Sequence, residues 1–252
     1  MVIAHGLTHQ GHVRKTNEDS LLVDAGLGLF VVADGMGGHN AGEVASQLAV
    51  DTFREFVTRA RAGDALTWPF GQDARASFDA NCMKTAMKLA NQRVLQASAD
   101  RDDCRGMGTT VAAALVDGNR LTYGGVGDSR IYAFLGGRLQ QLSRDDSWLA
   151  DVLERDPTTD LASIETHRMR HVLTNVVGAL DTLEFNVIER TLQANEVLLL
   201  CSDGLHGPVD DAAIGAALLE EASIEQAAHR LIDLALDRGG KDNVTVLLIQ
   251  NR

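Results

Sequence analysis

The stretch "LGLFVVADGMGGHNAGEVAS", residues 27–46, sets the reading of the whole chain. Five apolar residues, Leu29 to Ala33, run straight into Asp34. Gly35-Met36-Gly37-Gly38 follows, and a helical pattern begins at Ala41. An apolar run of this length reads as a buried strand. A carboxylate at its end, wrapped in glycines and with no cation beside it in sequence, is costly unless something compensates its charge.

Outward from this stretch the pattern alternates between sheet and helix. Residues 12–34 read as short strands separated by turns. Ala45, Leu48, Ala49, Thr52, Phe53, Phe56 and Val57 recur at the spacing of one helical face. Glycine and proline in "RAGDALTWPFGQD", residues 61–73, break that helix. A second helix follows, with Phe78, Cys82, Ala86, Leu89 and Ala90 on one side. Residues 108–143 are β, with hairpin signals at Asp117-Gly118-Asn119 and Gly136-Gly137. Short helices and an exposed loop around Pro157 are expected over 145–180. "EVLLLCSDGL", residues 196–205, holds a buried strand. Ser223 and Gln226 make a capping box for a last helix carrying Ile224, Ala227, Ala228, Leu231 and Ala235. "NVTVLLIQ", residues 243–250, closes as a strand. Hairpin-linked strands with helices in pairs predict an α+β fold of antiparallel sheet covered by helices, in one domain over 1–252.

Composition narrows the function. No apolar run reaches the roughly 18 residues a membrane span needs, and the N-terminus lacks the layout of a signal peptide. The formal net charge is −12. No Lys/Arg cluster suits nucleic acid or anionic lipid, so neither is expected as a partner. Cys82, Cys104 and Cys201 are an odd count without CxxC spacing, which suggests reduced thiols and a cytoplasmic protein.

Asp34 has company. Asp128 in "GGVGDSR" follows an apolar run, as does Asp203 in "VLLLCSDGL". Asp242 in "KDNVTVLLI", and Glu18 and Asp19 in "TNEDSLLV", stand just before strands. Each has Gly, Ser or Asn beside it, which lets the backbone turn or approach closely. Any one Asp-Gly alone reads as a turn. Five such segments suggest carboxylates that would repel if the strand ends converge, and so need protons or cations. An all-oxygen set without His/Cys spacing suits Mg²⁺ or Mn²⁺.

"RKTNEDS", "VVADGMGGHNAGEVAS", "GMGTTVAAAL", "GVGDSRIY", "LLLCSDGL" and "KDNVTVLLI" also occur in the order found in the metal-dependent protein phosphatases, the PPM or protein phosphatase 2C-like family. The chain resembles a stand-alone bacterial member from about residue 5 to 250. The resemblance implies an αββα sandwich of two antiparallel sheets flanked by helix pairs. It implies hydrolysis of phosphoserine and phosphothreonine in proteins, the targets of a Ser/Thr kinase, by a metal-activated water. Two central Mn²⁺ or Mg²⁺ ions are implied, with a third beside them. Asp34 matches the bridging ligand and Gly35 a carbonyl ligand. Asp203 and Asp242 match further ligands of the second ion, and Asp128, with Asp203, those of the third. Glu18 and Asp19 match residues that hold metal-bound waters, and Arg14 the arginine that grips the substrate phosphate. Residues 145–175 correspond to a flap beside the site. A cytoplasmic monomer is expected.

The chain departs from the pattern in places. Met36 stands where many relatives carry a general-acid His, and "SRDDSWL" where relatives often have Asp-His-Ser. Asp145 and Asp146 read as exposed turn residues, His39 as a capping or packing residue, and Trp148 as packing for the flap. His167 and His171 have the spacing of a metal pair but no third ligand, so they read as flap or surface residues. Three other functions fit the sequence less well. A phosphatase of small phosphomonoesters would not favour phosphopeptides over an aryl phosphate. A catalytically dead scaffold would lack a ligand, whereas Asp34, Asp128, Asp203, Asp242 and Arg14 are all in place. A calcium module would carry the twelve-residue loop of alternating acids, which is missing.

Overall fold

The computed structural model describes residues 2–38, 41–63, 67–156, 158–159, 167–170 and 172–252. Strand β3 (Leu29–Met36) shows why the opening run is unbroken. Successive side chains on a strand point to opposite faces. Leu29, Val31 and Ala33 pack under helices α1 (Ala41–Arg61) and α2 (Phe78–Asp100). Phe30 and Val32 face Ile131, Leu198, Leu200, Leu247 and Ile249 across an intersheet layer. Both faces are covered, so no position on the strand tolerates a polar residue until the chain reaches its mouth at Asp34.

That strand belongs to a sheet ordered β2 (Asp19–Asp24), β3, β5 (Val111–Asp117), β6 (Arg120–Val126) and β9 (Val187–Thr191), with the short β4 (Gly108–Thr109) paired to β3. The second sheet runs β1 (Val2–His9), β11 (Val244–Asn251), β10 (Val197–Cys201), β7 (Arg130–Leu135) and β8 (Arg138–Gln141). Every strand pairing is antiparallel. Tyr132, Phe134, Leu199, Val246 and Leu248 on its outer face pack with residues of α5 (Asp211–Glu220) and α6 (Ile224–Asp237). Helices, sheet, sheet and helices thus stack as the αββα sandwich expected. No helix of the described residues is long and apolar enough to cross a membrane.

Several local expectations need correction. Residues 12–18 are loop, and the N-terminal strand Val2–His9 was missed. Phe78 lies outside the buried face of α2; it is 47% exposed and meets the edge of Trp68. Helix α5 and strand β9 were not foreseen. In the flap, the described residues hold one helix, α3 (Trp148–Arg155), capped by Ser147. Both hairpins form where their turns were read.

Helix α2 begins at Ser77, whose hydroxyl accepts the Ala80 N–H at 3.0 Å and donates to Glu189. Ser77→Ala is expected to cost about 1 kcal/mol of stability through the lost cap. Urea unfolding would register this, and turnover should be unchanged because the cap lies far from the strand ends described next.

Candidate active site

Antiparallel pairing gathers the acids. In such a pair the end of one strand lies beside the start of its neighbour, so carboxylates placed at alternating ends in sequence meet at one edge. Asp19, opening β2, sits opposite Asp34 near the end of β3. Asp203 opens the short helix α4 (Asp203–His206) directly after β10, and Asp242 precedes β11, the partner of β10. Asp128 lies in the turn between β6 and β7. Asp34 continues the even-numbered side of β3, so it follows Phe30 and Val32 toward the space between the sheets.

The electrostatics register this convergence. The Asp34 carboxyl is held well above its ordinary value, first by burial and then by Asp19, Asp203, Asp128 and Asp242. Burial, then Asp203 and Asp145, push Asp128 up to about 7. Burial pushes Asp19 up to about 6 against the opposing hydroxyls of Thr245 and Ser202. Those hydroxyls donate to Asp19 Oδ2 at 2.7 and 2.8 Å. The other oxygen, Oδ1, is buried and accepts no hydrogen bond. An orphaned carboxylate oxygen beside other anions is a costly arrangement that a cation relieves. Burial also raises Glu18, against Arg14 and a hydrogen bond from the Gly42 N–H. Arg14 Nη2 meets Asp242 Oδ2 at 2.7 Å with its side chain half exposed. Among the described residues no three Asp, Glu, His or Cys side chains close on one point as a ready-made metal cage. Hard divalent ions fill much of their shell with water and backbone carbonyls, so a cluster left open in this way fits them.

Residues not singled out from the sequence hold the acids in place. Asp34 donates its N–H to Thr110 Oγ1 at 2.9 Å, and its carbonyl accepts from the Thr110 N–H and the Thr109 hydroxyl, both at 2.9 Å. Thr110 Oγ1 also pairs with Ser129 Oγ at 2.7 Å, which links Asp34 to the Asp128 turn. Asn243 Nδ2 donates to the carbonyls of Gln10 and Thr16, and its Oδ1 accepts the Glu18 N–H, each at 2.9 Å. It thereby shapes the loop that carries Arg14. His206 Nε2 lies 3.0 Å from the Asp128 carbonyl. Burial holds this imidazole down at about 4, so it is neutral and donates from Nε2. A Cβ on Gly35 would fall 2.0 Å from the Gly42 carbonyl oxygen, so only glycine lets β3 meet the first turn of α1. The small polar neighbours in "GTT", "CSD" and "DN" were the visible signal for this scaffold.

Other expectations resolve differently. Asp145 and Asp146 are not exposed turn residues. Asp145 forms a two-oxygen ion pair with Arg130, with contacts of 2.7–3.0 Å, and accepts from Gln141. Asp146 accepts hydrogen bonds from Gly127 and Asn175. The sequence hid this because Arg130, Gly127 and Asn175 lie 15, 19 and 29 residues from the acids they meet. His167 stacks on Trp148 with ring centroids 4.4 Å apart. His39 and His171 lie outside the described residues. All three cysteines are buried, and burial pushes the Cys82 thiol up to about 12, so none is a poised nucleophile.

With this geometry in view, comparison with known proteins places the chain. The family model for protein phosphatase 2C matches residues 8–243. The chain belongs to the protein phosphatase 2C family. It is 38% identical over 239 residues to the serine/threonine protein phosphatase PstP of Mycobacterium tuberculosis, covering 95% of this chain and 43% of that protein. The chain thus spans less than half the length of that relative. It is 32% identical over 250 residues to the serine/threonine phosphatase stp of Listeria innocua, covering 96% of this chain and 93% of that one. The crystal structure of the catalytic domain of PstP in complex with two manganese ions superposes with a TM-score of 0.81 at 34% identity, over 99% of this chain and 97% of that one.

Proposed function

We propose that the chain, as one catalytic domain over 1–252, hydrolyses phosphoserine and phosphothreonine in proteins with bound Mn²⁺ or Mg²⁺. The observation that carries this is the convergence of Asp19, Asp34, Asp128, Asp203 and Asp242 at one edge of the sandwich, with Asp19 Oδ1 left without a donor. The names of the relatives and the manganese in the PstP structure support it. Asp34, the Gly35 carbonyl, Asp203 and Asp242 would hold two ions, with Glu18 and Asp19 holding waters around them. Asp128 and Asp203 would hold a third. Such ions supply a hydroxide nucleophile near neutral pH and neutralise charge that develops on the phosphoryl oxygens.

The chain's own residues do the rest. Thr109 and Thr110 fix the Asp34 backbone, Asn243 fixes the loop of Arg14, and His206 fixes the Asp128 carbonyl. Arg14 sits half exposed at the rim, where its planar fork can take two phosphate oxygens in place of Asp242. Met36 offers no proton, so the leaving alkoxide takes one from water. The substrates are proteins phosphorylated by a Ser/Thr kinase, in cytoplasmic signalling.

The test is a phosphothreonine peptide offered to protein stripped by a chelator. No turnover is expected until Mn²⁺ or Mg²⁺ is added. Metal-loaded protein that leaves the peptide intact would overturn the reading. Peptide turnover no better than that of an aryl phosphate, corrected for leaving group, would move it to small phosphomonoesters. Arg14→Ala should raise KM for the peptide about tenfold or more, the scale of one lost charge-assisted contact. Its calorimetric Mn²⁺ titration should resemble wild type. An unchanged KM would remove Arg14 from substrate capture.

A further inference from the structure

Asp146 stands where the flap leaves the body of the protein, and it holds two other pieces of chain at once. Its Oδ2 accepts from the Gly127 N–H at 3.1 Å and from Asn175 Nδ2 at 2.9 Å. Its own N–H donates to the Gly127 carbonyl at 2.8 Å, and its carbonyl accepts from the Thr174 N–H at 2.9 Å. One residue therefore grips Gly127 at both its N–H and its C=O. The same residue grips the returning end of the flap at Thr174 and Asn175. A bridge between Ser147 and Leu173 continues that pairing.

Gly127 opens the turn that presents Asp128. Its φ is +91°, and a Cβ there would meet Thr110 Cγ2 at 2.7 Å. On the body side the turn is tied by Ser129 to Thr110 and by the Asp128 carbonyl to His206. On the flap side Asp146 holds it, because neighbouring Asp145 is taken up by Arg130 and Gln141. A cavity of about 690 Å³ opens beside Asp146, bordered by Tyr123, Arg144, Asn175 and Glu184. On that side the Asp146 carboxylate holds the turn through hydrogen bonds, while Thr110 packs against Gly127 on the other.

We propose that Asp146 is a positioning residue that couples the seating of the flap to the placement of Asp128. This rests on the reading above that Asp128 serves the catalytic centre. One carboxylate oxygen serves both donors, so the flap return and the Asp128 turn cannot shift apart without stranding a part-buried polar group. The flap then acts on turnover through this joint, in addition to any contact it makes with substrate.

Three variants test the coupling: Asp146→Ala, Asp146→Asn and Asn175→Ala. Hydrogen exchange is read at the Gly127 and Thr174 amides, Mn²⁺ binding by calorimetry, and kcat and KM with a phosphothreonine peptide. In Asp146→Ala, Gly127 exchange should rise about tenfold or more. The weakest Mn²⁺ should bind less tightly and kcat should fall more than KM changes. Asp146→Asn keeps an acceptor oxygen and should stay within about twofold of wild type on every readout. Asn175→Ala removes the flap's side-chain donor from the shared oxygen, so Gly127 exchange should rise as well, by less than in Asp146→Ala. If the alanine variant does not fold, Asp146→Ser takes its place, since a serine hydroxyl is too short to span both donors. Unchanged Gly127 exchange in a folded Asp146→Ala or Asp146→Ser protein overturns the proposal. So does faster exchange with Mn²⁺ affinity and kcat intact. Wild-type protein inactive on the peptide, with exchange and Mn²⁺ binding still shifted together in Asp146→Ala, would sink the phosphatase reading and leave the coupling standing.

Discussion

Asp34→Asn is expected to lower metal-dependent turnover of a phosphothreonine peptide by about a thousandfold or more, corresponding to about 4 kcal/mol of lost transition-state stabilisation. The substitution changes almost nothing in the scaffold. Thr109 and Thr110 hold the Asp34 backbone, not its side chain, so the amide inherits the same position. What disappears is the charge at the centre of the cluster, the one that Asp19, Asp128, Asp203 and Asp242 all surround. A neutral amide binds divalent cations far less tightly than a carboxylate. The same substitution should stabilise the metal-free protein, because burial and four neighbouring acids oppose the ionisation of Asp34. The pair of outcomes separates a lost cation site from a damaged fold. A melting temperature that falls together with activity in the absence of metal would assign the loss to folding. Near wild-type turnover would remove Asp34 from the mechanism.

Much of this was legible in the sequence because the relevant signals are local. The unbroken run Leu29–Ala33 required cover on both faces, and helices α1 and α2 on one side and the second sheet on the other supply it. The acids announced themselves because each breaks an apolar pattern at a turn. What stayed hidden depends on partners far apart along the chain. Asp146 and Gly127 are 19 residues apart, and Asn243 reaches Thr16 across 227 residues. No periodicity encodes such a pair, so Asp146 reads as a turn residue and Asn243 only as a small neighbour of Asp242. Strand β1 was missed for a related reason. Its His5, Gly6 and Thr8 dilute the apolar alternation of an edge strand, and its pairing with β11 spans the whole chain. Phe78 misled in the opposite sense, since helical spacing put it on the buried side while its ring lies out against Trp68.

The metal-free protein should lose stability as pH rises, contrary to ordinary acid denaturation. Below about pH 4 these carboxyls are protonated in both the folded and the unfolded chain and cost the fold nothing. As pH rises, the unfolded chain releases its protons first, near the ordinary carboxylate value. The folded chain keeps them until about 6 at Asp19 and about 7 at Asp128, and Asp34 too holds its proton well above the ordinary carboxylate value, because burial and mutual repulsion oppose ionisation. A raised folded-state value therefore stabilises the fold at low pH, and that contribution is gone once pH passes it. For Asp19 and Asp128 together the full span is on the order of 7 kcal/mol, with about 1 kcal/mol of it between pH 6.5 and 8, and Asp34 adds in the same direction. His206 works in the other direction. Its depressed value of about 4 costs the fold stability as pH falls below the ordinary histidine range, so the window above 6.5 isolates the carboxylates. Chelated protein should therefore melt at a lower temperature at pH 8 than at 6.5. Saturating Mn²⁺ should reverse that slope, since a cation makes the ionised form the favoured one and its stabilisation grows with [L]/Kd. Asp34→Asn should flatten the slope without metal. A chelated wild-type protein whose melting temperature holds or climbs from pH 6.5 to 8 would mean that these carboxylates do not share one buried site.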